Sequence, residues 1–340
     1  MKLKIGVVRL LTSLVIAAGS WSPAAHAQEF AREITQFVGE NAVPFLQPLA
    51  DALQSNLQAG MHSQLTSDGF HFGVSLVAMG VTIPEESKTF VPKPFSSTVE
   101  FSYNGVLFLG DLQIAPATLP TAAGLGREQT FTGTLQRVRP KGSAYVPGVY
   151  DFIQQNASVT IGGYRDVSNI FFATPQATIG SLLGTDLTVR FLPKVNLEDI
   201  GELSWFGIGV THSISQYFPL PFDLSVSYMY QTMTLKASDQ EFTVNADLKA
   251  MGGRLRLSKT LNAGFIGIEP FTMVGYEKGR LEVRYSFADP YIGDQTVPLD
   301  TEGRFRFVAG VAAKILAFQL HADINTGQMV GYSMGIGLAF

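Results

Sequence analysis

From about residue 169 to the end of the chain, apolar and polar residues alternate with a period of two. In the last segment Val330, Tyr332, Met334, Ile336, Leu338 and Phe340 share one parity, and Gly331, Ser333, Gly335, Gly337 and Ala339 share the other. Successive side chains of a strand point to opposite faces, so this strand has one wholly apolar face and one face of small residues. Phe318, Leu320, Ala322 and Ile324 alternate in the same way with Gln319, His321, Asp323 and Asn325. Phe305, Phe307, Ala309, Val311, Ala313 and Ile315 alternate with Arg304, Arg306, Val308, Gly310, Ala312 and Lys314. Further strands follow around Ile266–Tyr276, Phe222–Tyr230, Phe206–Ile214 and Leu187–Phe191, and the first clear one runs from Phe70 to Ala78. Leu183-Gly184 and Leu316-Ala317 leave almost no loop between strands, and Thr326-Gly327 leads into the last one. Met251-Gly252-Gly253 and Lys278-Gly279 break the phase, as a glycine bulge or a hairpin turn would.

Two other regions differ in pattern. Over residues 28–62 the spacing is helical, with stripes at Phe30, Ile34, Phe37 and Val38 and at Leu46, Leu49, Leu53 and Leu57. Pro44 and Pro48 are expected to break or kink this segment, and Gly60 to cap its end. Residues 82–168 are rich in Pro, Gly, Thr and Ser and hold short strand candidates near 97–103 and 105–113.

A soluble sandwich also alternates. Here the alternating segments reach about 9–11 residues, the length that crosses a bilayer on a tilt. After residue 28 no run of 18 uncharged apolar residues occurs. Hydrophobic residues are 46% and charged residues only 15%, against roughly 25% charged in ordinary soluble domains. Lipid offers no hydrogen-bond partners, so a sheet placed there must close on itself. The expected fold is therefore all-β, a closed antiparallel transmembrane β-barrel of roughly ten to fourteen strands, with twelve preferred, and an N-terminal helical plug. The plug is expected to close the periplasmic end.

At the N-terminus Lys2 and Lys4 precede an apolar stretch from Ile5 to Ala18, and Ala25-His26-Ala27 is a small-x-small site. The division expected is a signal peptide over 1–27, the helical plug over 28–62 and the barrel over 63–340. The destination this implies is a bacterial outer membrane. Tyr332, Leu338 and Phe340 form an aromatic-terminated pattern of the kind read by the barrel-assembly machinery, which with the outer-membrane lipids is an expected partner.

Several stretches carry a resemblance. Leu46-Gln47-Pro48-Leu49-Ala50-Asp51, Ile83-Pro84-Glu85-Glu86-Ser87-Lys88-Thr89-Phe90, Thr174-Pro175-Gln176, Gly184-Thr185-Asp186-Leu187, Val189-Arg190-Phe191-Leu192-Pro193 and Gly207-Ile208-Gly209-Val210-Thr211-His212 are similar to a domain-of-unknown-function family of bacterial outer-membrane barrels. The layout of helix and barrel is also similar to FadL-type transporters. Their Asn-Pro-Ala signature is absent, and Asn41-Ala42-Val43-Pro44 is no substitute. That likeness implies a plugged barrel for passive uptake, and fold alone does not give function.

Candidate chemistry lies on the polar parities. Arg190, Glu269, Arg304, Arg306, His321 and Asp323 are expected to face the lumen, where charges either pair and close it or line a pore. Tyr228, Tyr230, Tyr276, Tyr332 and Trp205 are candidates for interfacial aromatic girdles, and His212 for the same zone. His321 and Asp323 with a serine would suggest acyl hydrolysis, but they read more simply as one strand's polar face. Cys is absent, the net charge is −4, and no two mature-chain histidines stand at H-x-x-x-H spacing. No enzyme, cofactor, metal or nucleic-acid partner is therefore expected. The expected function is passive uptake of a small apolar ligand, against a structural or adhesive barrel without transport, and lastly a lipid-modifying enzyme.

Overall fold

The computed structural model describes residues 24–61, 69–93, 95–114, 118–124, 129–150, 156–161, 166–197, 201–238, 242–287 and 294–340. The leader expected over 1–27 lies outside the described residues up to residue 23, as do the side chains of the Phe30–Val38 stripe. A helix, α1 (Ala24–Gln58), opens the described chain. The barrel strands are β1 (His71–Thr82), β2 (Asn169–Leu182), β3 (Thr185–Leu197), β4 (Gly201–Ser213), β5 (Asp223–Ser238), β6 (Phe242–Ser258), β7 (Ile266–Phe287), β8 (Gln295–Ile315), β9 (Phe318–Thr326) and β10 (Val330–Ala339). Every neighbouring pair is antiparallel, β1 pairs with both β2 and β10, and the β6–β7 ladder completes the circle. The sheet has eleven strands, of which the shortest, Leu261–Ala263, prolongs β6 beside β7, leaving ten staves. The seam is fastened by Phe340 N–H to Phe72 O at 2.8 Å and Phe72 N–H to Phe340 O at 2.9 Å.

Ten staves correct the preferred count of twelve. Met251-Gly252-Gly253 runs through β6 without a turn, in unbroken register with Tyr230, Met229 and Tyr228. Near Lys278-Gly279 the register of β7 with β8 shifts, which makes a bulge and not a hairpin. The candidates near 97–103 and 105–113 do form strands, Phe95–Tyr103 and Val106–Ile114, but in a separate sheet.

The two ends of the barrel differ. At one end the connections are 183–184, 214–222, 259–265 and 316–317. Leu183 and Gly184 take φ of 55° and 72°, the paired left-handed turn that fits the twist of a hairpin. At the other end β7 and β8 reach 22 and 21 residues against 9 and 10 for β9 and β10, so one side of the barrel rises as a collar. Residues 83–168 are inserted at this end. There Phe95–Tyr103, Val106–Ile114, Gln129–Pro140 and Asn156–Ile161 form a four-stranded sheet. Buried Lys88 ties the two ends of the insertion together, its Nζ donating to Asp166 at 2.9 Å and to Ser168 at 2.8 Å as well as to Glu85. Burial opposes the Lys88 charge, but the Glu85 and Asp166 carboxylates together hold its pKa above the ordinary value.

The outward faces divide by height. On β7 Ile266, Ile268, Val274 and Tyr276 face out, and above them Lys278, Arg280 and Arg284 do. All ten staves contribute exposed apolar side chains to the lower zone, among them Leu76, Phe171, Phe191, Ile208, Val226, Leu255, Phe307, Leu320 and Ile336. Ile266–Tyr276 matches the roughly 9–11 tilted residues that cross the hydrocarbon of a bilayer. Tyr276 against Phe305 (ring centroids 5.4 Å apart) and Tyr332 against Phe171 (5.9 Å) are cross-strand aromatic pairs on this outer surface.

Candidate functional site

The site is where α1 ends inside the barrel. Its 35 residues continue through Pro44 and Pro48, which correct the expected break. Each proline removes one intrahelical bond; around them Ala42, Phe45, Leu46 and Ala50 are buried in an apolar cluster. That cluster combines Leu112, Leu119 and Ala122 of the insertion with Leu203, Trp205, Met233, Leu248, Leu281, Val283, Val297 and Leu299 of the collar's inner face. The helix thus occupies the collar end, opposite the tight turns.

A helix is about 10–12 Å wide with its side chains, and an eight-stranded barrel is already filled by its own. A ten-stranded wall therefore leaves α1 little room, and the chain comes closest to it at glycines. Gln54 lies on Gly279, Gln58 on Gly252 and Met61 on Gly209, so close that a Cβ on these glycines would stand 2.7, 3.4 and 3.3 Å from them.

The end of α1 is held by arginines. The last carbonyls of a helix have no intrahelical donor and carry partial negative charge. Arg190 Nη1 donates to Leu57 O and Ala59 O, both at 3.2 Å, and Nη2 donates to Ala59 O at 3.2 Å and to Gln176 Oε1 at 3.1 Å. Gln231 Nε2 donates to Leu57 O and Arg254 Nη2 to Gln58 O. Arg306 Nη2 donates to Ser55 O at 2.9 Å. Three guanidinium groups from three staves therefore cap one helix end. Trp205 stacks under Arg190, with its ring centroid 5.2 Å from the guanidinium carbon, and donates Nε1–H to Gln231 Oε1 at 3.0 Å.

The charges balance unevenly. Arg306 is paired with Glu277 at 2.8 Å, and Arg254 stands 3.9 Å from the same residue. Lower down, Arg256 pairs with Glu269 at 2.8 Å and lies over the Phe271 ring at 4.7 Å. Arg190 is 0% exposed, and among the described residues no carboxylate lies within ion-pair distance of it. Its charge is answered by the helix carbonyls, two glutamine oxygens and an indole face. Near the rim Asp51 of α1 accepts from Gln47 and Gln328 and lies 3.9 Å from Arg304. Burial raises the Asp51 carboxyl above its ordinary pKa, against the Gln47 hydrogen bond and the Arg304 charge.

Arg190, Glu269, Arg306, His321 and Asp323 are all buried on the inner face, and Arg304 is half-buried at the rim. Glu269 belongs to Arg256, and Arg304 to Asp51. Ser333 donates its hydroxyl to Asp323. Trp205 is 1% exposed and faces the lumen, which corrects its placement in a girdle. Its parity, shared with Gly207 and Gly209, carried that signal. Parity also marks Gln231 with Met229, but nothing in the sequence pairs either residue with α1. His212 sits near the tight turns, where its Nδ1 lies 2.8 Å from the Thr185 hydroxyl.

Gly60 takes a left-handed φ of 63°, and a Cβ there would lie 2.7 Å from Val77 Cγ1. Gly60→Val should weaken the seating of α1 by about 2 kcal/mol, from backbone strain and the clash together. The expected readout is faster proteolysis of α1 in detergent with the strands still protected; unchanged cleavage would count against this seating.

The geometry defines a closed antiparallel barrel whose taller end is stoppered by a helix. The chain belongs to the family of unknown function DUF6588, whose model matches residues 2–340. No curated protein matches it. Among solved structures it is similar to the β domain of the Bordetella autotransporter BrkA, at 12% identity, with 81% of this chain and 100% of that chain covered and a TM-score of 0.33. The translocator domain of the autotransporter NalP from Neisseria meningitidis matches at 9% identity, 89% and 98% coverage and a TM-score of 0.26. The Pseudomonas putida toluene transporter TodX matches at 9% identity, 81% and 89% coverage and a TM-score of 0.24.

Proposed function

We propose that this protein is an outer-membrane β-barrel that lets small apolar compounds pass when α1 shifts. The membrane part rests on the apolar belt that encircles all ten staves. Soluble monomers rarely expose contiguous apolar patches beyond a few hundred Å². The passage part rests on one observation above all. The collar's inner wall is apolar at Met233, Leu248, Leu281 and Leu299, whereas the interiors of outer-membrane barrels are typically polar. A wall of this kind, uncovered by movement of the helix, suits an apolar solute. Entry of a small apolar fluorescent dye into cells should be faster with the protein than without it. Equal rates at equal folded-barrel levels would remove the uptake reading.

The second reading is a structural or adhesive barrel. It is favoured by the Arg306–Glu277 and Arg256–Glu269 pairs, which line the inner face of the neighbouring staves β6, β7 and β8 with buried charge. Assembly bears on both. Phe340 closes the β1–β10 seam through its backbone, and its ring is exposed on the outer surface. In this proposal Tyr332, Leu338 and Phe340 are the pattern the assembly machinery recognises. Deleting Phe340 should lower the level of folded, heat-modifiable barrel several-fold, whereas Leu316→Ala at a turn should not. Normal folded levels after the deletion would reject that role.

A further inference from the structure

We infer that α1 enters the barrel from the cell-surface side, so that the collar, the 83–168 insertion and the first half of α1 stand outside the membrane. The inference rests on the reading of the barrel as an outer-membrane protein and adds its direction. Outer-membrane barrels turn their short connections to the periplasm and their longer ones outward. At one end Leu183-Gly184 and Leu316-Ala317 are two-residue connections and the longest, 214–222, spans nine residues; at the other 327–329 is short, but residues 83–168 connect β1 to β2 as the one long excursion among the described residues. The turn tips agree: Leu183 and Leu316 are exposed apolar residues that suit a membrane interface and carry no protruding loop. At the opposite end the outer surface of β7 changes from Val274 and Tyr276 to Lys278, Arg280 and Arg284, so the collar stands in water above the belt. The C-terminal turn of α1 meets the wall at Gly252 and Gly279, where that change occurs, and Phe45 and Leu46 are buried higher, against the insertion. The chain therefore runs inward along α1 from the collar, and β1 begins at the tight-turn end. A plug seated in this way is released outward. Whatever unseats it acts from the cell surface, on α1 or on the insertion that covers it.

The chain has no cysteine, so single cysteines report their own positions. Val43→Cys on α1, Ser143→Cys in the insertion, and Leu183→Cys and Leu316→Cys at the tight turns replace residues that are all exposed. A membrane-impermeant maleimide polymer should label Val43→Cys and Ser143→Cys in intact cells, and Leu183→Cys and Leu316→Cys only once the outer membrane is opened. Labelling of the turn positions in intact cells, with the other two silent, overturns the orientation and leaves the membrane reading standing. Ser143→Cys labelled with Val43→Cys silent overturns the surface presentation of α1. Labelling of all four in intact cells overturns the orientation too. No labelling before opening, together with recovery of the protein in the soluble fraction, overturns the outer-membrane reading itself.

Discussion

Removal of residues 28–62, with the leader joined directly before residue 63, is expected to give larger and steadier conductances in planar bilayers than the nearly closed intact protein. The barrel does not depend on α1 for its hydrogen bonds, because all ten staves are paired on both sides within the sheet. Loss of α1 uncovers two kinds of surface. Arg190, Arg254 and Arg306 lose their carbonyl acceptors, but a water-filled lumen hydrates them. The apolar collar around Met233, Leu248, Leu281 and Leu299 meets water instead, at about 25 cal/mol for each Å² uncovered. The collar should therefore loosen while the belt region keeps its ladders, and heat-modifiable migration should persist. Negligible conductance from a barrel shown to be folded would defeat the plug. The buried charged wall of β6, β7 and β8, Arg306–Glu277 and Arg256–Glu269 included, would then be part of what fills the lumen, and the structural reading would take precedence.

What the sequence disclosed follows from where its physics is local. Side-chain parity is set within each strand, so the outward faces of β4, β5 and β7–β10 were legible, and so was the inward direction of Arg190, Glu269 and Asp323. Strand number was not. A glycine pair inside a long strand has the same composition as a turn, and only cross-strand register shows that Gly252-Gly253 continues β6. The insertion's strands alternate much as the barrel's do, and nothing local says which sheet they join. Partners were also hidden, since they depend on register across staves far apart in sequence. Glu269 meets Arg256 over a turn, whereas Arg190 meets carbonyls at Leu57 and Ala59. Two stretches that carry the family likeness, Thr174-Pro175-Gln176 and Val189-Arg190-Phe191, meet at the helix end through Gln176 and Arg190.

Arg190→Met should unlatch α1. Methionine keeps much of the buried stem but donates nothing, so Leu57 O and Ala59 O lose their donor and Trp205 loses its cation. A hydrogen bond to a charged group contributes about 1.5–3 kcal/mol. Arg190 makes several to one helix end, but removing it also relieves the burial of a cation that no described carboxylate neutralises. A net loss of about 3 kcal/mol of seating is expected, which at tenfold per 1.4 kcal/mol raises the open fraction by about a hundredfold. Frequent long openings should appear in single-channel records, while the thermal unfolding of the strands barely moves. Arg190→Lys should fall between, because an ammonium keeps the charge but cannot span two carbonyls and Gln176 as a planar fork does. Glu269→Gln serves as contrast. It removes a lumen charge below the latch and leaves every bond to α1 intact, so it should not change the open fraction in the same way. If Arg190→Met stays as closed as the unaltered barrel with α1 still protected from protease, the guanidinium is not the latch. The seating would then rest on the apolar collar contacts of Phe45, Leu46 and Ala50.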